Sequence, residues 1–254
     1  MPLRAAARRQ ISGGQLIAVA PPLPEVLKQW EHDMMQALVI GASGGIGAAL
    51  CDALAARGAQ VTRLSRRADG LDITSEASVA EHLGALTGPF DMVLVATGAL
   101  EIGANGPEKS LRQLSAEALS AQFALNAIGP ALVLKHALPL LARDRRAVFC
   151  ALSARVGSIG DNRAGGWYSY RTAKAALNQL IHSGAIELAR SHKDAICVAL
   201  HPGTVATPFT EKYLGRHPAV PPPEAADRIL GVLDGLTPAD TGGFYDWAGK
   251  VVPW

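Results

Sequence analysis

Tyr170-Arg171-Thr172-Ala173-Lys174 opens an apolar-periodic stretch, so on a helix the first and fifth side chains share a face and the ammonium stands beside the phenol. Proton transfer is the chemistry open to such a pair. A phenol with a pKa of about 10 exchanges protons poorly at neutral pH, and a shift of about 3 units towards phenolate requires roughly 4 kcal/mol from neighbouring cations. Tyr168 lacks this spacing to Lys174. An ordinary surface pair has the same spelling, so Tyr170 and Lys174 need support from elsewhere in the chain.

That support is a glycine turn, Gly41-Ala42-Ser43-Gly44-Gly45-Ile46-Gly47, which follows a short apolar run and precedes a helical one. Backbone amides at such a helix start can hold a pyrophosphate, which makes Gly41, Ser43, Gly44, Gly45, Ile46 and Gly47 candidate contacts. A tight strand-to-helix connection also calls for glycine on its own account. At the end of the second apolar run the chain reads Leu64-Ser65-Arg66-Arg67. An acid there would accept from a ribose 2′-hydroxyl, whereas two guanidiniums and a hydroxyl form a clamp for a 2′-phosphate. Ser65, Arg66 and Arg67 therefore favour NADP(H) over NAD(H), the alternative being a solvated surface loop.

The elements that must position these residues alternate short β-branched runs with longer helical ones, the pattern of an α/β, doubly wound parallel sheet of Rossmann type with helices on both faces. Strands are expected at Ala37–Ile40, Gln60–Leu64, Met92–Ala96, Ala147–Ala151 and Ala195–Leu200, with a short one at Gly70–Asp72. Ile46, Ala49, Leu50, Ala53 and Leu54 recur at helical spacing and Gly58 stops that helix. With no internal repeat or second composition regime, residues 37–254 form one domain. Residues 1–36 read as a disordered extension or a mis-assigned start; three arginines and one lysine there also raise a transit peptide, which serine enrichment does not support.

Of 254 residues, 49% are hydrophobic and 18% charged, which excludes disordered and fibrous classes. A net charge of +2 gives no ground for a nucleic-acid or acidic-membrane partner. The longest apolar stretch, Ala131–Leu141, is broken by Lys135, His136 and Pro139, so no membrane span is expected. Cys51, Cys150 and Cys197 are scattered in apolar runs, which points to reduced thiols and a cytoplasmic location. The seven histidines include no His-x-x-x-His pair and no cluster with cysteine, so no metal is expected. His201 reads as structural.

Taken together, the glycine turn and the Tyr170–Lys174 pair resemble those of the short-chain dehydrogenase/reductase family, and within it the C-factor-like and sniffer-type carbonyl reductases, over about Ala37 to Trp254. Ile40 stands where the family's glycine motif begins with threonine. The stretches Gly157–Asn162 and Gly165–Tyr168 look like the subgroup rather than the family at large. The resemblance implies that Tyr170 protonates a carbonyl oxygen as hydride arrives, that Lys174 lowers its pKa and holds ribose hydroxyls, and that Asn126 supports a proton relay; Asn126 is otherwise a locally satisfied helix residue. It also implies that Asp72 and Ile73 contact adenine, that Ala96, Thr97 and Gly98 flank the cofactor, and that Pro202, Gly203, Val205 and Thr207 meet the nicotinamide carboxamide. The substrate implied is a small carbonyl or alcohol, and the assembly a homodimer or homotetramer.

Two further departures accompany the match. Ala154 occupies the position of the subgroup's substrate-orienting serine, with Ser153 expected to face away by strand alternation and Ser158 on a loop. The family's Asn-Asn-Ala-Gly turn reads Val95-Ala96-Thr97-Gly98, where a backbone hydrogen bond from Thr97 is expected to compensate. A rival reading follows from Ala154: an NADP(H)-binding sensor or signalling protein with weak turnover. Pro208–Pro223 reads as a substrate lid or a plain connecting loop, and Gly243–Trp254 as core closure or a subunit contact.

Overall fold

In a computed structural model, residues 34–103, 106–208, 210–213 and 219–254 are described. The first 33 residues of the expected extension, and Phe209 and Leu214 of the expected lid, lie outside them. Six strands, β1 (Gln36–Ile40), β2 (Gln60–Leu64), β3 (Met92–Val95), β4 (Ala147–Leu152), β5 (Ala195–His201) and β6 (Phe244–Asp246), form one sheet in the order β2-β1-β3-β4-β5-β6. Every neighbouring pair is parallel.

Parallel strands need crossovers, and the helical runs supply them on alternate faces. Helices α1 (Gly45–Ala56), α2 (Arg66–Asp69), α3 (Glu76–Gly84), α4 (Ala116–Phe123), α5 (Gly129–Ala137), α6 (Tyr168–Ser191) and α7 (Pro222–Gly235) follow in chain order. Strand alternation sorts the core. Leu38, Ile40, Val93, Val95, Phe149 and Cys197 pack with α5 and α6, through residues such as Val133, Leu177 and Ile181. Ala37, Val39, Met92, Leu94, Val148 and Ile196 pack on the other face with Leu50 and Leu54 of α1 and Ile229 and Leu233 of α7. Because both faces are buried, the inner strands β3, β4 and β5 read as continuous apolar runs, whereas edge strand β2, with Gln60, Thr62 and Arg63, does not.

Several expectations are corrected. Gly70–Asp72 is not a strand: Gly70 takes a left-handed conformation that ends α2, and the Leu71 amide donates to Ser65 O. Leu71 is buried there by side-chain packing alone, which is why it read like a strand residue. Strand β1 begins at Gln36, inside the segment set aside as an extension, because the Gln36 amide is held by the Asp91 carboxylate. Gly243–Trp254 closes the core: β6 pairs with β5, Val252 is buried, and the Trp254 ring stacks on Phe244 at 6.0 Å. In the expected lid, Val220 pairs with Val205 and Pro222 already starts α7. The run Ala116–Leu140 is long and apolar enough to cross a membrane by length and composition, yet Val133, Leu134 and Ala137 within it pack on the sheet.

Candidate active site

Loops at the carboxyl ends of the strands enclose a cleft of about 650 Å³. One wall is the glycine turn. Gly44 caps α1 without offering a side chain, so the amides of the first helical turn lack a side-chain acceptor and point their partial positive charge into solvent. Close packing explains the glycines: a Cβ on Gly47 would lie 2.1 Å from Gly41 O, and one on Gly45 would lie 2.6 Å from Thr207 Cγ2. Gly41 and Gly47 shape the turn from behind, while Ser43, Gly44, Gly45 and Ile46 line the cleft. Leu64 O accepts from Gly41 N at 2.8 Å and Ala42 N at 3.1 Å, which brings the end of β2 beside the turn.

Arg66 and Arg67 are exposed in the first turn of α2. The Ser65 hydroxyl, assigned to the same clamp, is already engaged: it accepts from Ala68 N at 3.1 Å and donates to Asp69 Oδ2 at 3.2 Å. Asp72 accepts from the Thr74 amide and hydroxyl, which hold its carboxyl below the ordinary range, and Ile73 is buried against Gly129.

The opposite wall carries Tyr170 and Lys174. Tyr170 and Lys174 are 7% and 3% exposed, with Nζ 5.9 Å from the ring centroid. Nζ donates to Leu152 O at 2.9 Å. Burial pushes the Lys174 ammonium down to about 7 and the Tyr170 phenol up. The helical spacing thus brings the two together as expected, but burial raises the phenol rather than lowering it.

Gly98 has a φ of 150°, and a Cβ there would lie 2.8 Å from Asn126 Oδ1 and 3.5 Å from Lys174 Nζ, so this turn backs directly onto the lysine. Asn126 is fully buried in a π turn and its amide is engaged: Ala99 N donates to Oδ1, and Nδ2 donates to Ala99 O and to Gln122 Oε1. Gln122 in turn donates to Leu100 O. The Thr97 hydroxyl does not make the compensating backbone bond expected of it; Oγ1 is buried with no partner among the described residues. Pro202, Gly203, Val205 and Thr207 reach the cleft from the end of β5.

Neither neighbouring serine holds its hydroxyl proton free to take the place of the missing one. Ala154 lines the cleft, whereas the Ser153 hydroxyl donates to Asn178 Oδ1 at 2.6 Å and the Ser158 hydroxyl donates to Pro253 O. Sequence reasoning missed Leu100 and Trp167 in the apolar lining and treated His201, which also lines the cleft, as structural. Burial holds that imidazole down at about 4, so it is neutral at physiological pH. Among the described residues no group of three or more His, Cys, Asp or Glu converges as a metal site would.

These residues fit a dinucleotide: the α1 amides await an acceptor, and Thr97 offers a buried, unpartnered hydroxyl. The family profile described as enoyl-(acyl carrier protein) reductase matches residues 41–221. The 1-hydroxy-2-glutathionyl-2-methyl-3-butene dehydrogenase of Rhodococcus sp. is 32% identical over 237 residues, 87% of this chain and 100% of that protein. The chain belongs to the short-chain dehydrogenase/reductase family. C-signal of Myxococcus xanthus is 33% identical over 168 residues, covering 66% of this chain and 95% of its own. The carbonyl reductase Sniffer of D. melanogaster shares the fold with a TM-score of 0.72 at 21% identity, covering 87% of this chain and 100% of its own. With C-signal among its relatives, the chain falls in the C-factor-like part of this family of oxidoreductases.

The depressed Lys174 pKa has a measurable sign. From about 7 up to its unfolded value of 10.5, the unfolded chain holds a proton that the native chain does not, so native stability rises with pH across that window. The slope is at most about 1.4 kcal/mol per pH unit. Cofactor-free protein is expected to melt higher at about pH 8 than at about pH 7, below the range where thiols and phenols ionise. Lys174→Met should flatten that rise, measured by calorimetry; an equal rise in both proteins would place the titration elsewhere.

Proposed function

We propose that the chain is an NADP(H)-dependent oxidoreductase that interconverts a small carbonyl compound and its alcohol. The observation that carries this reading is the pairing of buried Tyr170 and Lys174 on the wall of a cleft that begins at the uncapped amides of α1. Bound NADPH supplies the hydride. The α1 amides and the hydroxyl of Ser43 take the pyrophosphate, Arg66 and Arg67 the 2′-phosphate, and Asp72 and Ile73 border the adenine. Ala96, Thr97, Gly98, Pro202, Gly203, Val205 and Thr207 border the nicotinamide half.

Tyr170 donates its proton to the carbonyl oxygen; burial keeps the phenol protonated at neutral pH but weakens it as an acid, so the transfer needs positive charge beside it. Lys174 holds ribose hydroxyls and delivers positive charge to the phenol. Asn126 keeps the Gly98 turn against Lys174, with its amide committed to Ala99 and Gln122. Leu100, Leu152, Val156 and Trp167 make the substrate end apolar, which selects an uncharged carbonyl compound.

NADPH oxidation by the purified protein over aldehydes, ketones and quinones tests the proposal, with Ala154→Ser alongside. Turnover is expected from the native chain, and the serine, by adding a hydrogen bond to the developing oxyanion, is expected to raise kcat by about tenfold. Ala154 at the cleft favours the second reading, a sensor; NADPH binding without turnover in either protein would establish it.

A further inference from the structure

Helix α6 carries both members of the proton-transfer pair, yet it begins without a cap of its own. Its N-cap residue, Trp167, sits at φ 53° and ψ 40° after two glycines and its side chain does not cap the helix. The cap comes from 61 residues away. One carboxylate oxygen of Glu108 accepts from the Ser169 amide at 3.3 Å, and the other accepts from the Ser169 hydroxyl. The Glu108 carbonyl accepts from the Trp167 amide at 2.5 Å.

Glu108 is 6% exposed and Ser169 2%, and no cation forms a salt bridge with Glu108 among the described residues. A buried carboxylate without a countercharge depends on its hydrogen bonds and on the positive end of the helix dipole. The helix start and Glu108 are therefore tightly coupled. Their meeting point adjoins the chemistry: Tyr170 follows Ser169 directly, and the Trp167 ring lines the cleft with its centroid 6.5 Å from that of Tyr170. Glu108 also lies on the loop after β3 that starts at Gly98, whose turn backs onto Lys174.

We propose that Glu108 is a positioning residue for Tyr170: its carboxylate and carbonyl fix the first turn of α6, and through it the height and direction of the phenol over the substrate. The inference rests on Tyr170 being the proton donor. A buried carboxylate tied to the hydroxyl and the amide of Ser169, with the Glu108 carbonyl on the Trp167 amide, suits this task because it leaves the helix start a single well-paired arrangement, and a displacement of about 1 Å at a reacting group can cost about 10²-fold in rate.

The test compares Glu108→Ala, Glu108→Gln, Ser169→Ala and Tyr170→Phe in the full chain by steady-state NADPH oxidation over pH. In Glu108→Ala, kcat is expected to fall by roughly ten- to a hundredfold with a displaced pH profile, while the Kd for NADPH stays within about twofold. Glu108→Gln, which keeps an acceptor for Ser169, should recover most of the loss. Adding Glu108→Ala to Tyr170→Phe should cost nothing further, since the group it positions is gone. A Glu108→Ala protein with native kcat and pH profile and only a lower Tm would overturn the proposal. Should that variant fail to fold, Ser169→Ala decides in the same way: a lower kcat with a displaced profile supports it, and native kinetics overturn it. Retained turnover in Tyr170→Phe would instead remove the proton-donor assignment, and the proposal with it.

Discussion

Tyr170→Phe is expected to lower kcat for carbonyl reduction by roughly 10²- to 10⁴-fold, the usual contribution of a positioned general acid. The change removes one oxygen and keeps the ring, which stands edge-on to Trp167 in a site where Tyr170 is 7% exposed, so packing is preserved. NADPH affinity and Tm should stay close to native, which separates loss of the proton donor from loss of the site. The pH dependence carries the same signature. Burial raises the phenol, so the protonated form that reduction requires persists through neutral pH, whereas alcohol oxidation, which requires phenolate, should climb towards alkaline pH. Stopped-flow or steady-state NADPH absorbance in both directions checks this. Activity of the phenylalanine variant within about threefold of native would assign the proton to another group.

The second large effect concerns cofactor choice. Arg66 and Arg67 stand exposed beside the glycine turn, where Leu64 O ties the end of β2 to Gly41 and Ala42. Hydrogen bonds to charged groups contribute about 1.5–3 kcal/mol each, and the exposure of both arginines places them at the lower end. Arg66→Ala with Arg67→Ala is therefore expected to weaken NADPH binding by roughly 10²-fold while NADH binding changes little. Fluorescence titration with each cofactor measures the ratio. The native preference should shrink as salt rises, because dissolved ions screen exposed charges over about 10 Å at 0.1 M. An unchanged ratio in the double variant would remove the clamp from these arginines.

Much of this protein was legible in the chain because local order is written in contiguous residues. Apolar runs such as Met92–Val95 and Ala195–His201, separated by helical periodicity, dictate parallel strands buried on both faces. Gly41–Gly47 between strand and helix marks the turn that opens α1 at the cleft, and four residues from Tyr170 to Lys174 place both side chains on one helical face. Even the orientation of Ser153 followed from strand alternation, since its hydroxyl turns to Asn178.

Tertiary structure decided what depends on distant partners. Leu71 is buried like a strand residue without being one, and Phe244–Asp246 is a strand of three residues that exists because β5 offers it an edge. Ser158 is bound to Pro253, an engagement across 95 residues that has no pattern in the chain. The cap on α6 comes from Glu108, which no capping motif announces because the two segments meet only when the loop after β3 folds over the helix start. The pKa values follow the same rule: spacing places a cation beside a phenol, but the depth at which both are buried sets the sign of their shifts. Periodicity belongs to neighbours along the chain, whereas desolvation and long-range hydrogen bonds belong to the packed whole.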